Sequence, residues 1–463
     1  MLAGAAHSAG HEVRVVDLNI DELSRLDGCA SEERAWAATG DHAKPRGGFA
    51  RAKRRHRERC LDLLGPVNYE TPAGQDPVTE LMYGFDAVNR AALEWSHGAV
   101  VERWVTRLGP EPPPWVGFSI MFAGQVLDAL ALSSAIRRRW PGTLVVWGGA
   151  HVTLLIDQIA GDERYGKHVD AFVAGYAEQT FVSMCEAGDP RACPGAVIAG
   201  SRKVALARGA LSVSPQFGDL DPYGVPRLTL PTQTSRGCAY GRCAFCTYPS
   251  VEGAYDRGLL SGAASVIAQA AAAGADLAFK DALMVGSRVE AVSEQVAGQA
   301  RFSITTRVRP RLGRDRLLRA ASAGLSTLEV GVETTDPQRL HAIGKRQCLQ
   351  DIRSLLVDLR GLDVHVVLNF MSGYPGQSFE EARQDLRQVE RVVRSAPEVS
   401  VTTERNLLQV QRRSPLAREP ERFGIRITDS WPWATSLGWN APAWRADGVE
   451  LLTGHHAAEE AHE

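Results

Sequence analysis

The sequence predicts an α/β fold made of two successive series of alternating strands and helices. Three observations predict it. Apolar runs of buried-strand type lie at about 115–122, 143–153 and 169–180, with helical stretches between and after them, the pattern of parallel strands joined by right-handed crossovers. A second series of six such runs extends from about 227 to 406, which suits an open, partial (β/α)6 barrel rather than a closed eight-stranded one. Over 463 residues, 44% are hydrophobic and 23% charged, the balance of a globular chain with ample core material.

Taken in order, residues 1–22 read as a short helix, a strand "EVRVVDL" (12–18) and a turn. A parallel α/β unit normally opens with a strand before its first helix. Here that strand is missing, so either the fold is rearranged or the chain begins one element late. Residues 24–105 are polar with helical stretches, and "ARAKRRHRERC" (50–60) is read as a solvated helix face. "GPEPPPW" (109–115) is a stiff lead-in. "WVGFSIMF", "TLVVWGGAHVT" and "VDAFVAGYAEQT" are the strands of the first series. Ligands of such sheets sit beyond the C-terminal strand ends, where Gly148, Gly149, His151, Thr153, Gly175 and Glu178 fall. Residues 188–226 read as a connector with a small hairpin.

The second series opens with "RLTLPTQT" (227–234) and a helix at about 259–273. Its other strands are "LAFKDA" (277–282), "RFSITTRV" (301–308), "STLEVGVET" (326–334), "HVVLNFMSG" (365–373) and "EVSVTTERN" (398–406). After 411 the pattern is irregular, and "DSWPWATSLGWNAPAW" (429–444) carries four tryptophans, which either line a substrate pocket or cap the barrel by packing. The expected domains are 1–190, with an irregular helical insertion at about 24–110, a connector at 191–226, the barrel at 227–410 and an extension at 411–463.

Net charge is −2 and the pI about 6.7, which offers no case for a nucleic-acid or membrane-surface partner. No apolar run approaches the roughly 18 residues that span a bilayer. The N-terminus lacks the basic and apolar regions of a signal peptide, so a cytoplasmic protein with reduced thiols is expected. Five of its eight cysteines (Cys29, Cys60, Cys185, Cys193, Cys348) are scattered, as buried or incidental thiols are.

The other three lie within nine residues, Cys238, Cys243 and Cys246 in "TSRGCAYGRCAFCTYP". A structural zinc site would need a second ligand pair downstream, and none is present. The loop follows the first strand of a β/α series, at the end where barrels keep their active sites. Thiolates are the usual ligands of iron–sulfur clusters, and three of them on four irons leave one position open for chemistry.

At this point the sequence resembles the radical S-adenosylmethionine (SAM) enzymes, whose signature is C-x3-C-x2-C after the first barrel strand. This chain has one more residue between the first two cysteines, which lengthens a loop. "SRGC" and "RCAFC" are similar to the cobalamin-binding branch of that superfamily. So are "FKDAL" (279–283), "TTRVRP" (305–310), "LEVGVETTDPQRLHAIGK" (328–345) and "VVLNFMSGYPGQSFEEA" (366–382), in order along about 228–420. The resemblance implies a [4Fe–4S] cluster on Cys238, Cys243 and Cys246, its open iron chelating SAM, which one electron cleaves to methionine and a 5′-deoxyadenosyl radical. It places Phe245 near the adenine and makes Glu333 and Arg307 candidate SAM contacts.

The first 190 residues resemble the cobalamin-binding, Rossmann-like domain of the same branch, through "VRVVDLN" (13–19), "VGFSIMF" (116–122), "VVWGGAHVT" (145–153) and "DAFVAGYAEQT" (170–180). The resemblance implies that Gly148, Gly149 and Thr153 flank the nucleotide tail of cobalamin, with Gly175 and Glu178 kept from a Gly-Glu-Gly-Glu turn. The cobalt-ligating motif Asp-x-His-x-x-Gly is absent: "HSAG" (7–10) has Ala5 in the acidic place, and His151 is the other histidine to consider. If the resemblance holds, residues upstream of Met1 should supply the missing strand, leaving an exposed sheet edge next to "EVRVVDL".

The implied function is a cobalamin-dependent radical SAM enzyme, a C-methyltransferase acting on an unactivated carbon, with natural-product biosynthesis suggested by the family's habits. Expected partners are a small-molecule or peptide substrate and a one-electron donor such as a flavodoxin or ferredoxin. Three other readings stay open: both cofactors with a rearrangement, cyclisation or ring contraction; SAM cleavage alone beside a degenerate docking domain; and a non-catalytic iron–sulfur or zinc sensor.

Overall fold

A computed structural model of the chain describes residues 1–18, 47–67, 76–201 and 227–445, with 204, 207, 214, 215 and 217 in the connector. The chain divides into two units. The first comprises Met1–Thr71, Asp76–Leu228 and Trp431–Thr435, the second Pro72–Gln75, Thr229–Ser430 and Ser436–Glu463.

The first unit is built on a four-stranded sheet of β1 (Trp115–Ser119), β2 (Leu144–Gly148), β3 (Ala171–Val173) and β4 (Ala196–Ile198), in that order. β1, β2 and β3 are parallel, with Val116 opposite Val145 and Val146 opposite Ala171. The apolar run of β2 suits a strand covered on both faces, and Val145, Val146 and Trp147 are all buried. Helices Val126–Arg139 and Ala150–Ile159 form the crossovers and bury Leu127, Leu130 and Ile136, and Val152, Leu155 and Ile156. Helix Leu2–Ser8 packs its small residues, Ala3 to Ala6, against helix Glu178–Ala187.

Two expectations are corrected here. "EVRVVDL" is not a strand: residues 11–17 carry no regular structure. Alternating valines favour extended backbone, but a strand exists only through its ladder, and β1 is itself the sheet edge. The hairpin expected within 188–226 lies largely outside the described residues, whose part of the connector holds β4, paired antiparallel with β3 through Phe172 opposite Val197. The C-terminal extension is not irregular but forms a three-stranded antiparallel sheet, β11 (Val410–Gln411), β13 (Ser436–Trp439) and β12 (Ile427–Asp429). Its tryptophans divide between two cores. Trp433 is buried in the first unit, stacked on Phe85 at 5.3 Å and 5.1 Å from Tyr165. Trp439 is buried among Leu408, Val410 and Leu437 in the second. The basic run lies on helix Gly47–Leu64. Its Arg54, Arg55 and Arg57 are exposed as expected, while Arg59 lies over the Trp95 ring at 4.4 Å.

His168 is buried in the first unit, with Nε2 2.6 Å from Asn89 Oδ1 and Nδ1 3.0 Å from Ser134 Oγ. Burial, helped by Arg137 and Lys167, lowers its pKa from 6.5 to about 4. The folded ring therefore stays neutral where the unfolded one is protonated, and stability present above pH 6.5 is lost as the pH falls towards 4. The loss amounts to about 3 kcal/mol over that window. His168→Asn is expected to flatten the fall in thermal midpoint between pH 7 and pH 5, followed by circular dichroism.

Besides that three-stranded sheet, the second unit holds a sheet of six strands, all parallel and in chain order: β5 (Thr229–Thr232), β6 (Asp276–Phe279), β7 (Phe302–Thr306), β8 (Leu325–Glu333), β9 (His365–Ser372) and β10 (Val401–Leu407). Helices Leu260–Ala273, Gly286–Val296, Arg314–Ser322, Leu349–Leu359 and Phe379–Arg394 lie between them. The last begins with a capping box, Ser378 Oγ accepting from Glu381 N at 3.2 Å and Glu381 Oε2 accepting from Ser378 N at 2.7 Å. Because every strand runs the same way, all six C-terminal ends emerge on one edge of the sheet. That edge carries the residues that matter.

Candidate functional site

The three cysteines sit on the loop that leaves β5, each partly buried. The loop is held at both ends. At its base Glu252 Oε2 accepts from Gly237 N at 2.8 Å. At its tip Ala244 N donates to Ile343 O at 2.9 Å and the Tyr240 hydroxyl donates to Gly344 O. Burial pushes the Cys243 thiol up to about 12, with Lys345 and Arg307 pulling it partly back, and the Cys246 thiol up to about 11. Such thiols ionise only when a metal takes the proton's place.

Among the described residues no three His, Cys, Asp or Glu side chains gather as a site for a single metal ion. The donor set, three cysteine thiols on one loop, has the chemistry of a thiolate-bound iron–sulfur cluster with one iron open.

The strand ends supply three charged groups, Asp281, Glu333 and Arg307, and Asp385 and Lys345 join them from outside the strands. Asp281, after β6, is buried and accepts from Thr234 N at 3.1 Å, from Thr234 Oγ1 at 2.9 Å and from Ser235 Oγ. It ties the end of β6 to the start of the cysteine loop. Asp385, from helix Phe379–Arg394, does the same for β8. It accepts from Thr334 Oγ1 at 2.6 Å, from Thr335 N at 3.3 Å and from Thr335 Oγ1. Asp385→Ala would leave those donors buried without an acceptor, at a cost of about 2–4 kcal/mol. The urea midpoint of the full chain checks this.

Glu333 ends β8 with a left-handed backbone, φ 67°, a strained conformation for a side chain other than glycine. Its Oε1 accepts from Lys345 Nζ at 2.6 Å, and the same ammonium donates to Gly331 O at 2.6 Å. Both side chains are buried, 10% and 4% exposed. Arg307, just past β7, lays its guanidinium over the Tyr240 ring at 3.5 Å. Its Nε and Nη2 are buried without a hydrogen-bond partner. Phe245 packs, partly buried, against the apolar cluster that includes Tyr374 and Leu408. Glu333, Arg307 and Phe245 thus lie with the cysteines at one end of one sheet.

The candidates of the first unit form a separate group at the C-terminal ends of β2 and β3. Gly149 has φ 102°, and a Cβ there would stand 2.3 Å from Ile120 O. Thr153 Oγ1 donates to Gly149 O at 2.9 Å and accepts from Gly175 N at 3.0 Å, knotting the two turns together. Gly148 ends β2, and Glu178 is buried at the start of helix Glu178–Ala187. His151 and Thr153 lie on the first turn of helix Ala150–Ile159, not on a loop. After β1, Met121 and Phe122 are 46% and 70% exposed at the same edge, their N–H groups both donating to Gln125 Oε1.

Sequence reasoning did not single out Lys345, Asp281, Asp385 or Gln377. Lys345, Asp281 and Gln377 stand inside the quoted motifs "LEVGVETTDPQRLHAIGK", "FKDAL" and "VVLNFMSGYPGQSFEEA", and that membership was the available signal. Asp385 had none, being one more acid on an amphipathic helix.

Residues 232–389 match the model of the radical SAM superfamily. No curated protein matches the chain. Among solved structures, the chain is similar to the radical SAM methyltransferase TsrM from Kitasatospora setae with tryptophan substrate and a SAM analogue bound: TM-score 0.59 at 17% identity, over 77% of this chain and 74% of that one. A second TsrM structure, with cobalamin and a [4Fe–4S] cluster, gives 0.55 at 18% identity, over 75% of each chain. The cobalamin-dependent SAM radical enzyme OxsB, with aqua-cobalamin and SAM, gives 0.61 at 15% identity, over 74% of this chain and 58% of that one. Residues 232–389 thus match the radical SAM superfamily model, and over about three quarters of its length the chain has a fold similar to that of the TsrM and OxsB structures.

Proposed function

We propose that the protein is a cobalamin-dependent radical SAM enzyme that methylates an unactivated carbon of a small molecule. The observation that carries this reading is the loop leaving β5, which places three partly buried thiols at the C-terminal edge of a sheet of six parallel strands. When bound, a [4Fe–4S] cluster supplies the electron that cleaves SAM, and cobalamin supplies a methyl carrier.

The chain's own residues have defined tasks in this reading. Cys238, Cys243 and Cys246 hold the cluster. Glu333, fixed by Lys345, and Arg307, fixed by Tyr240, offer a carboxylate and a guanidinium to the amino and carboxylate groups of SAM. Phe245 packs beside the adenine. In the first unit, Gly148, Gly149, Thr153, Gly175 and Glu178 line the cobalamin nucleotide tail, and the exposed Met121 and Phe122 offer it an apolar surface. Tryptophan in the TsrM structure supports a small-molecule substrate. Among the described residues no helix is long and apolar enough to cross a membrane, and all seven described cysteines are free, which supports a reducing, cytoplasmic setting.

A second reading, in which both cofactors serve a rearrangement without methyl transfer, fits the likeness to the cobalamin-dependent SAM radical enzyme OxsB equally well. The test is anaerobic reconstitution, incubation with hydroxocobalamin, desalting and an ultraviolet–visible spectrum, followed by assay for 5′-deoxyadenosine. Corrinoid bands near one per chain with SAM cleavage support the reading. Iron–sulfur absorption alone removes cobalamin from it, and no SAM cleavage under reducing conditions removes the rest.

A further inference from the structure

Arg445 closes the short turn Ala443–Arg445 and is 1% exposed. Its Nε and Nη1 are buried without a hydrogen-bond partner. What it touches is aromatic and backbone: the guanidinium carbon lies 5.3 Å from the Trp439 ring centroid, and a Cβ on Gly373 would stand 2.8 Å from Arg445 Cδ. Only glycine, here at φ 80°, leaves room for that side chain.

The turn is pinned in place. Trp444 Nε1 donates to Gln377 O at 2.6 Å, and Gln377 Oε1 accepts from Gly373 N at 2.7 Å and Tyr374 N at 3.2 Å. Burial lowers the Arg445 pKa only to about 10, so the group is a cation at neutral pH. A buried cation with no counter-charge is costly, and an aromatic face offsets only part of that. Two other cations of this sheet edge are committed, Lys345 to Glu333, and Arg339 to Asp336 and Glu381 at 2.6 and 3.1 Å, while Arg307 lies over the Tyr240 ring. In the same turn after β9, the Tyr374 hydroxyl is also buried without a partner.

We propose that Arg445 forms an anion site beside the C-terminal end of β9, which takes the carboxylate of the substrate, a small organic acid. The guanidinium fork matches a carboxylate with two parallel hydrogen bonds, and Trp439 backs the cation. Naming the carboxylate as the substrate's rests on the radical SAM reading; the site itself does not. SAM carries a carboxylate of its own, but Arg307, not Arg445, is among the charges that act on Cys243, so Arg307 is the partner nearer the cluster.

The test measures thermal midpoints of the full, anaerobically reconstituted chain against three probes: benzoate, uncharged benzamide and SAM. Benzoate is expected to raise the wild-type midpoint and benzamide not. In Arg445→Met the apparent affinity for benzoate should fall roughly tenfold or more, with the SAM shift intact and the ligand-free protein no less stable. Arg445→Lys, which keeps the charge without the fork, should retain part of the benzoate shift. Loss of the SAM shift in Arg445→Met would reassign the site to SAM and overturn the substrate assignment. A ligand-free Arg445→Met protein that unfolds earlier would mean the guanidinium is paired within the chain, and equal benzoate responses in both proteins would mean there is no site; either overturns the proposal. A wild-type protein that answers benzoate but not SAM sinks the radical SAM reading and leaves the anion site standing.

Discussion

Alanine at any one of Cys238, Cys243 or Cys246 is expected to bring bound iron and sulfide from about four per chain to near zero. SAM cleavage should fall to the protein-free background. The fold should survive. The thiols are partly buried at a loop whose shape is set by other bonds, those of Gly237 N to Glu252, Ala244 N to Ile343 and Tyr240 to Gly344. Cysteine-to-serine variants are therefore expected to unfold within about 1 kcal/mol of the wild type. Iron and sulfide analysis, the visible spectrum and a denaturation curve on the same preparations separate loss of the cluster from loss of structure. A cysteine variant that still bound four irons would remove that residue from the ligand set.

The second large effect belongs to the buried pair of Glu333 and Lys345. Lys345→Met would strand a carboxylate that is 10% exposed, on a backbone already held at φ 67°. Removing one partner of a buried ion pair costs about 3–5 kcal/mol, whereas replacing both by neutral groups is often close to neutral. The double variant Glu333→Gln with Lys345→Met should thus recover most of the stability lost by Lys345→Met alone. It should not recover SAM binding, because the carboxylate offered to the sulfonium's amino group is gone. Urea midpoints and SAM affinity, measured on the single and double variants, test both statements. Equal stability losses in the single and double variants would mean the pair is not an electrostatic unit.

Much of the site was legible because its signals are local. Three cysteines within nine residues need no tertiary information to be recognised as one ligand set. The glycines after β2 and β3 are visible as breaks in apolar runs. Arg307 and Glu333 stand immediately at strand ends, and strand ends in a parallel sheet share one edge. Other partners were not legible. Asp385 reaches Thr334 and Thr335 across 51 and 50 residues, and Arg445 meets Gly373 across a longer span still. Nothing in a helix-periodic acid or a lone C-terminal arginine announces such a contact.

The fold divides along the same line. Apolar runs alternating with helical stretches determined six parallel strands in chain order, since each crossover is short and right-handed and places the next strand beside the last. "EVRVVDL" has the composition of a strand and is none, and the C-terminal segment lacks a strand pattern yet forms a three-stranded sheet. In both, pairing decides, and pairing depends on which backbone comes alongside. Trp433 and Trp439 lie six residues apart in one Trp-rich stretch, yet are buried in different units. The sequence by itself determined the ligand types, their spacing and the order of the parallel strands, because these follow from neighbours along the chain. Tertiary structure alone decided which charges are paired and which stand open, because burial and counter-charge are properties of space rather than of order.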